Sequence, residues 1–309
     1  MRKKILIAVD ASIHSKQTVG YSVKMSAMIH DLHYTIFNVQ KSISRFLLDE
    51  AEKDSKVREE LSKVIKENES ASLIVLDKYK KFMVQRGIGS DRIEIVSGSK
   101  IESIAKDILV FGQKIPYDAV VVGRRGVSRI QKTFMGSVTS NILEHCTAIP
   151  VWLVDGTVMP SKIMVAIDGS ESSMRAVDHL CFMVGENTSA EIVIFHVISG
   201  IQKIVTGKSV KNNSIVEKII SESIKQNIDQ TLSTVENQFE KAGLKKSQIH
   251  VKTSKRFLNP GKAIIDESEK GNYGTVVIGR SGMSRSIFTG SVSRYVINHI
   301  SNRALWIVS

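Results

Sequence analysis

Short, continuous runs of apolar residues recur along the chain, separated by segments in which apolar residues come every three or four positions. The runs at residues 5–9 and 119–122 are rich in β-branched residues and are typical of strands buried on both faces. The segments between the runs have the spacing of amphipathic helices. Strands that alternate with helices predict a parallel sheet with helices on both faces, connected by right-handed crossovers.

The whole pattern occurs twice. Residues 5–12 read ILIAVDAS, and residues 163–170 read IMVAIDGS. Long amphipathic helices are predicted within 42–86 and 214–242, each ending at a glycine that suits a helix C-cap, Gly87 and Gly243. The predicted strands are residues 5–9, 35–39, 92–96, 119–122 and 151–154 in the first copy, and 162–167, 191–198, 248–253, 275–278 and 305–308 in the second. The repeat predicts two tandem Rossmann-like domains, 1–155 and 161–309, each with a five-stranded parallel sheet and joined by a linker at 156–160.

A glycine motif follows the fourth strand of each copy. In the first copy Gly123 and Gly126 are followed by nine residues and then by Gly136, at the head of an amphipathic segment. Backbone N–H groups and the positive end of a helix dipole make such a junction an anion site. The alternative is a tight turn in which glycine serves only a positive φ. The motif repeats at Gly279, Gly282 and Gly290, which favours the anion site, although only seven residues separate the last two.

Charge and composition exclude several classes of function. The net charge of +12 is spread over both halves, and aromatic residues make up only 6% without interleaving with basic ones, which disfavours nucleic acid as a partner. The two cysteines, Cys146 and Cys181, suggest neither a disulfide framework nor a cysteine metal site. No apolar run approaches the length of a membrane span, so we expect a cytoplasmic protein without membrane association.

At these residues the chain resembles a tandem universal stress protein of the ATP-binding branch, and the resemblance covers nearly its whole length. It implies that each copy binds ATP, with Mg²⁺ on the phosphates. By position, Asp10 and Val39 would flank the base and ribose. The glycine loop would be lined by Gly123, Arg124 and Gly126, and the phosphates would be held by Gly136, Ser137, Val138 and Thr139. The same roles in the second copy fall to Asp168, Val197, Gly279, Arg280, Gly282, Gly290, Ser291, Val292 and Ser293.

The resemblance also implies a role, a nucleotide-dependent sensor or adaptor in a stress response with an unidentified protein partner. Two alternatives stay open, a slow ATP hydrolase or phosphotransferase using the same pocket and a nucleotide-free dimerisation scaffold. No nucleophile and base stand at a recognisable spacing, which weakens the enzyme alternative. Domains of this family pair through their last strands, so we expect 151–154 and 305–308 to pair within the chain as an intramolecular pseudo-dimer; a homodimer is the other option.

Several residues have plainer interpretations. Asp10 and Asp168 either cap the helices that follow or contact the ligand, and one residue can do both. Packing or capping is favoured over catalysis for His145 and His299, near the ends of the last helices. An ordinary strand histidine is favoured over a metal ligand for His196. Four basic residues near the glycine motifs either lie on the solvated surface or contact the phosphates: Arg129, Lys132, Arg285 and Arg294.

Overall fold

The computed structural model describes residues 1–125, 135–197, 215–254, 259–280 and 291–309. They form two compact units, Met1–Val158 and Met159–Ser309. The division falls inside the segment predicted as the linker, 156–160. The internal pairing of their last strands stays a prediction.

The N-terminal unit alternates strands and helices. Its elements are β1 (Lys3–Ala8), α1 (Ile13–Met25), β2 (Leu32–Val39), α2 (Arg45–Lys53), α3 (Ser55–Val84), β3 (Ile93–Gly98), α4 (Ile104–Lys114), β4 (Ala119–Gly123), α5 (Ser137–His145) and β5 (Val151–Val154). The strand order is β3-β2-β1-β4-β5, and every neighbouring pair is parallel.

The C-terminal unit repeats this arrangement. Its elements are β6 (Lys162–Ile167), α6 (Glu171–Val184), β7 (Glu191–Val197), α7 (Ile215–Lys241), β8 (Ile249–Ser254), α8 (Pro260–Lys270), β9 (Thr275–Gly279), α9 (Ser291–His299) and β10 (Ala304–Val308). The order β10-β9-β6-β7-β8 is again parallel throughout. The predicted fold class, a five-stranded parallel sheet in each of two Rossmann-like domains, is confirmed.

The strand order sets which end of each sheet can hold a ligand. Ile5, Leu6 and Ile7 of the central strand β1 are fully buried, as strands covered on both faces require. From β1 the chain moves outward through β2 to β3, then returns to the other side of β1 at β4. Right-handed crossovers therefore put α1 and α3 on one face and α4 and α5 on the other. The strand order reverses between β1 and β4, and their carboxyl ends border the crevice where ligands of open α/β sheets bind.

The long polar segment of the first copy contains two helices. The break lies at Asp54, whose carboxylate accepts a hydrogen bond from the Lys56 N–H (2.7 Å) and caps α3. Gly87 and Gly243 have φ of +89° and +92°, the left-handed conformation that ends a helix with little strain in glycine. Among the helices that the structure describes, none is both long enough and apolar enough to span a bilayer.

Candidate functional site

A cavity of about 240 Å³ opens at the carboxyl ends of β1, β2 and β4 in the N-terminal unit. We call it the first cavity. Its apolar lining consists of Ala8, Val9, Phe37, Val39, Ile104, Ile108, Val122 and Val138. Its polar lining consists of Asp10, Ser15, Asn38, Gly123, Arg125, Gly136, Ser137 and Thr139. The site therefore combines an apolar wall with charged groups, hydroxyls and a helix N-terminus.

The C-terminal unit has a second cavity, of about 320 Å³, at the corresponding place. Five predicted positions line both cavities as matching pairs: Asp10 and Asp168, Val39 and Val197, Gly123 and Gly279, Val138 and Val292, and Thr139 and Ser293. Sequence reasoning missed further matching pairs: Ser15 and Ser173, Phe37 and Phe195, and Ile108 and Ile264. Their repetition in the two copies was the signal that could have found them.

Some predicted residues lie outside the described part of the chain. These are Gly126, Gly282 and Gly290, together with the basic residues Arg129, Lys132 and Arg285. Ser291 begins α9, but its side chain is outside the described part as well. Arg294 is exposed and is not among the residues that line the second cavity.

The predicted arginines are not among the lining residues. Arg124 is 3% exposed, and its backbone N–H continues the pairing of β4 with β5 by donating to the Val154 carbonyl (2.9 Å). Burial lowers the pKa of the Arg124 guanidinium, against the opposing effect of the Asp155 carboxylate. The neighbouring Arg125 lines the first cavity instead, with its Nη2 3.7 Å from an Asp155 oxygen. The resemblance assigned Arg124 to the loop by its position in the motif, whereas the structure buries Arg124 and places the next residue, Arg125, at the cavity.

The turn after β1 is organised by Asp10. One carboxylate oxygen of Asp10 accepts hydrogen bonds from the Ser12 N–H (2.9 Å) and the Ser15 hydroxyl (2.7 Å). Ser12 is the residue that caps α1, since its hydroxyl oxygen accepts from the Ser15 N–H (3.2 Å). The interpretation of Asp10 as a helix cap is therefore wrong; the carboxylate holds the turn that precedes the cap.

The corresponding carboxylate, Asp168, is built in the same way. It accepts from the Ser170 N–H (2.9 Å), and Ser170 caps α6, so the cap interpretation is wrong here too. Burial raises the pKa of Asp168, but hydrogen bonds from Ser170 and Ser173 outweigh it and leave the pKa below its ordinary value. The carboxylate is thus ionised at neutral pH and presents negative charge and acceptor oxygens to the second cavity.

The glycines at the ends of β4 and β9 are needed for space. Neither Gly123 nor Gly279 has a positive φ, so the tight-turn alternative does not account for them. A Cβ on Gly123 would lie 3.1 Å from the Thr18 hydroxyl oxygen and 3.2 Å from the Arg125 carbonyl oxygen. A Cβ on Gly279 would clash with the carbonyl group of Ser172 and lie 2.7 Å from the Ser173 nitrogen. These glycines allow the first turns of α1 and α6 to approach the strand ends.

The N-terminus of α5 faces the first cavity without a side-chain cap. Its N-cap, Gly136, has φ −63° and ψ 145° and makes no side-chain cap hydrogen bond. Each other α-helix whose N-cap is described, α1 to α4, α6 and α8, has a side chain that accepts from its first turn. The first N–H groups of α5 are therefore donors without a capping side chain, beside a cavity and at the positive end of the helix dipole.

The hydroxyls predicted to hold an anion have different partners. Thr139 donates its hydroxyl proton to the Gly123 carbonyl (2.7 Å), and Ser293 donates to the Gly279 carbonyl (3.0 Å). Each bond ties the first turn of a helix to the end of the preceding strand. The exposed Ser137 is the described hydroxyl of this turn that faces the first cavity without such a tie.

The histidines singled out in the sequence have structural partners. The Nδ1 atoms of His145 and His299 lie 2.9 Å and 2.8 Å from the carbonyl oxygens of Asn141 and Tyr295, four residues earlier. His196 Nδ1 lies 3.0 Å from the Ile167 carbonyl oxygen. In the described ranges no three His, Cys, Asp or Glu side chains come together as metal ligands would.

Comparison with known proteins found the same architecture elsewhere. The model of the universal stress protein family matches residues 1–155 and 159–306. Universal stress protein YxiE of Bacillus subtilis is 30% identical over 141 residues, which cover 45% of this chain and 92% of YxiE. A universal stress protein from Archaeoglobus fulgidus is 20% identical, with a TM-score of 0.61 over 99% of this chain and 98% of its own. A universal stress protein in complex with cAMP is 20% identical and covers 48% of this chain and 97% of its own, with a TM-score of 0.36.

Proposed function

The chain belongs to the universal stress protein family, and we propose that each of its cavities binds ATP, with Mg²⁺ on the phosphates. One observation carries the proposal. The same five predicted positions line a cavity at the same sheet end in both units. Two copies that have diverged elsewhere retain a carboxylate, a valine, a close-approach glycine and the head of a helix around an open space.

The apolar lining suits an adenine base. In the first cavity Phe37 and Val39 of β2 and Ile108 of α4 form part of the apolar lining. The ring of Phe37 is held by stacking on Phe111, with centroids 4.3 Å apart and planes 5° apart. Asp10 and Asp168 offer carboxylate oxygens as acceptors to the ribose hydroxyls, which are donors. An adenosine with its base on the apolar wall therefore meets a carboxylate where a sugar needs an acceptor.

The uncapped N-terminus of α5 suits the phosphates. Its N–H groups and dipole favour an anion, and Ser137 adds a hydroxyl. Arg125 adds a positive charge at the same cavity. Since the described residues contain no cluster of metal ligands, Mg²⁺ would be held mainly by the phosphate oxygens. Glycine at position 136 leaves this approach free of a side chain.

We propose a sensor or adaptor role for this ATP binding, linked to a stress response. A fast hydrolase would need a general base beside the terminal phosphate. Among the described lining residues of the first cavity, the carboxylate is Asp10, and one of its oxygens already accepts two hydrogen bonds in its own turn. Its geometry suits ribose binding better than the activation of water.

Calorimetry of the full chain with ATP, ADP and GTP tests the proposal. We expect ATP to bind with saturable heat and more tightly than GTP, because the apolar lining offers few groups to pair with the polar edge of guanine. The absence of binding at millimolar nucleotide would refute the proposal and favour a nucleotide-free scaffold.

Phosphate release separates the binder from the hydrolase. We expect less than one turnover per minute over several hours with purified protein, and no difference between the wild type and Gly136→Val. Multiple turnovers per minute that are lost in Gly136→Val would overturn the sensor role while leaving the nucleotide site in place.

A further inference from the structure

A groove runs along the surface of the N-terminal unit between the start of α1 and the second half of α3, outside the first cavity. We call it the α1–α3 groove; its volume is about 640 Å³. Its large apolar residues include Ile13, Ile74 and Phe82, and its basic residues are Lys16, Lys78 and Lys81. Ile13 and Ile74 are 61% and 70% exposed, although both are β-branched residues of the kind that folding normally buries.

The corresponding surface of the C-terminal unit has a different composition. Its helices align through their shared ends, the cap Ser170 with Ser12 and the terminating Gly243 with Gly87. In this alignment all six groove residues are replaced. The apolar residues Ile13, Ile74 and Phe82 become Glu171, Gln230 and Gln238, and the basic residues Lys16, Lys78 and Lys81 become Met174, Thr234 and Asn237.

The groove carries an excess of positive charge. Lys81 pairs with Asp77 of its own helix at 2.7 Å, and Asp77 is the acidic residue among those that line the groove. Neither Lys16 nor Lys78 forms an ion pair with another described residue of the chain. Two cations therefore flank exposed apolar side chains in a concave surface, and a ligand that supplies both carboxylates and apolar groups would complement them.

We propose that the α1–α3 groove is the docking site for an acidic amphipathic segment of a partner protein. A groove between two helices accepts apolar side chains that project from one face of a helical segment at intervals of three or four residues. Acidic residues flanking that face would pair with Lys16 and Lys78.

The geometry disfavours a bilayer and a single-stranded nucleic acid, two other polyanions that a basic surface can attract. A bilayer is flat, whereas Ile13 and Ile74 lie on the walls of a concavity. Single-stranded nucleic acid stacks its bases on aromatic side chains. The Phe82 ring is already covered by the guanidinium of Arg86, whose Cζ lies 3.6 Å from the ring centroid.

A random peptide display library, selected on the full chain, tests the proposal. The selection is counter-screened on Ile13→Glu/Ile74→Gln/Phe82→Gln, which carries the residues of the C-terminal unit. Ile101→Gln is the matched control, because Ile101 is 80% exposed in the same unit and lies outside the groove. Circular dichroism of each variant checks that the fold is retained.

We expect the selected peptides to be rich in Asp and Glu, with apolar residues every three or four positions. Their affinity should fall at least about tenfold in the triple variant and stay unchanged in Ile101→Gln. Selection of basic peptides, or of none that depend on the groove, would overturn the proposal. Vesicles containing phosphatidylserine that sediment the wild type but not the triple variant would assign the groove to a membrane surface and also overturn it.

Discussion

The two cavities lie at the same place in their units, but the turn that contains the lining carboxylate, Asp10 or Asp168, is supported differently in each. In the N-terminal unit the Tyr79 hydroxyl of α3 donates to the Asp10 carbonyl oxygen (2.9 Å), so the turn is tied to a long helix. In the C-terminal unit Val235 stands at the corresponding position and has no such donor. There the turn contains Gly169, with φ +81°, in place of Ala11. Both turns are held by their Asp carboxylate, but the N-terminal unit adds the Tyr79 hydrogen bond, whereas the C-terminal unit has a left-handed glycine in the turn. The contacts around the two cavities therefore differ although the lining positions match.

The largest difference between the units should appear when alanine replaces the strand-end glycines. Gly279→Ala forces a Cβ against the Ser172 carbonyl, which is backbone and cannot rotate away. We expect a loss of about 2–3 kcal/mol in the free energy of unfolding of the C-terminal unit. Gly123→Ala meets its nearest neighbour, the Thr18 hydroxyl oxygen, at 3.1 Å and should cost about 1 kcal/mol.

Denaturant unfolding can follow each unit separately, because each has one of the two tryptophans of the chain, Trp152 and Trp306. Replacement of one tryptophan by Phe leaves the other as the reporter. Equal losses from the two alanine substitutions would show that the closer approach at Gly279 is not strained.

A second difference concerns pH. His179 of α6 packs edge-on against Trp306 with ring centroids 5.6 Å apart, where the N-terminal unit pairs Tyr21 with Trp152. Burial lowers the pKa of His179 from 6.5 to about 4. The unfolded chain therefore binds more protons than the folded chain between these values. The C-terminal unit should lose stability as pH falls through this window, by at most about 1.4 kcal/mol per pH unit.

Unfolding of the C-terminal unit at about pH 7 and about pH 5, with Trp306 as the reporter, measures this loss. His179→Tyr introduces the residue of the N-terminal unit and should remove most of the difference. A difference that persists in His179→Tyr would mean that other groups carry the pH dependence.

The smallest expected effect is that of Tyr79→Phe. Burial, with the charge of Asp10 adding to it, raises the pKa of Tyr79 to about 12, so its hydroxyl is a donor at neutral pH. Loss of its hydrogen bond should cost the N-terminal unit about 1 kcal/mol and weaken nucleotide binding at the first cavity. Binding at the second cavity should not change, since Val235 makes no such bond. Unchanged stability together with unchanged binding would mean that Tyr79 does not support the turn.

The fold was predictable because the strands are central and buried. Their β-branched runs, such as Ala119–Gly123 and Thr275–Gly279, leave little choice of structure, and their alternation with helices leaves little choice of topology. The break between α2 and α3 was not predicted, because the polar residues 52–56 suit an exposed helix surface as well as a break. Asp54 ends one helix and caps the next through a local hydrogen bond that periodicity does not reveal.

The candidate site was predictable in position but less so in detail. A motif identifies the end of a strand and the start of a helix, and these bring Asp10, Gly123 and Val138 to one cavity. The motif does not say which of the adjacent residues Arg124 and Arg125 lines the cavity, since that depends on the direction of each side chain at the end of β4. The motif also does not reveal that the Thr139 hydroxyl donates to the Gly123 carbonyl, because that hydrogen bond forms only when the helix packs against the strand.

Titration of Gly136→Val and Gly290→Val with ATP tests most directly whether the glycine-headed helices hold nucleotide. The φ of Gly136, −63°, suits any residue, so valine there should block the approach to the α5 amides without unfolding the helix.

The first cavity should bind nucleotide more tightly than the second, because the loop before Gly136 has nine residues and that before Gly290 has seven. Loss of one or two hydrogen bonds to charged phosphate would cost roughly 1.5–3 kcal/mol each, about a tenfold or greater difference in affinity. We predict that Gly136→Val abolishes the tighter binding event and Gly290→Val leaves it intact. Removal of the tighter event by Gly290→Val would contradict the ranking of the cavities, and survival of both events in both variants would contradict nucleotide binding at the glycine-headed helices.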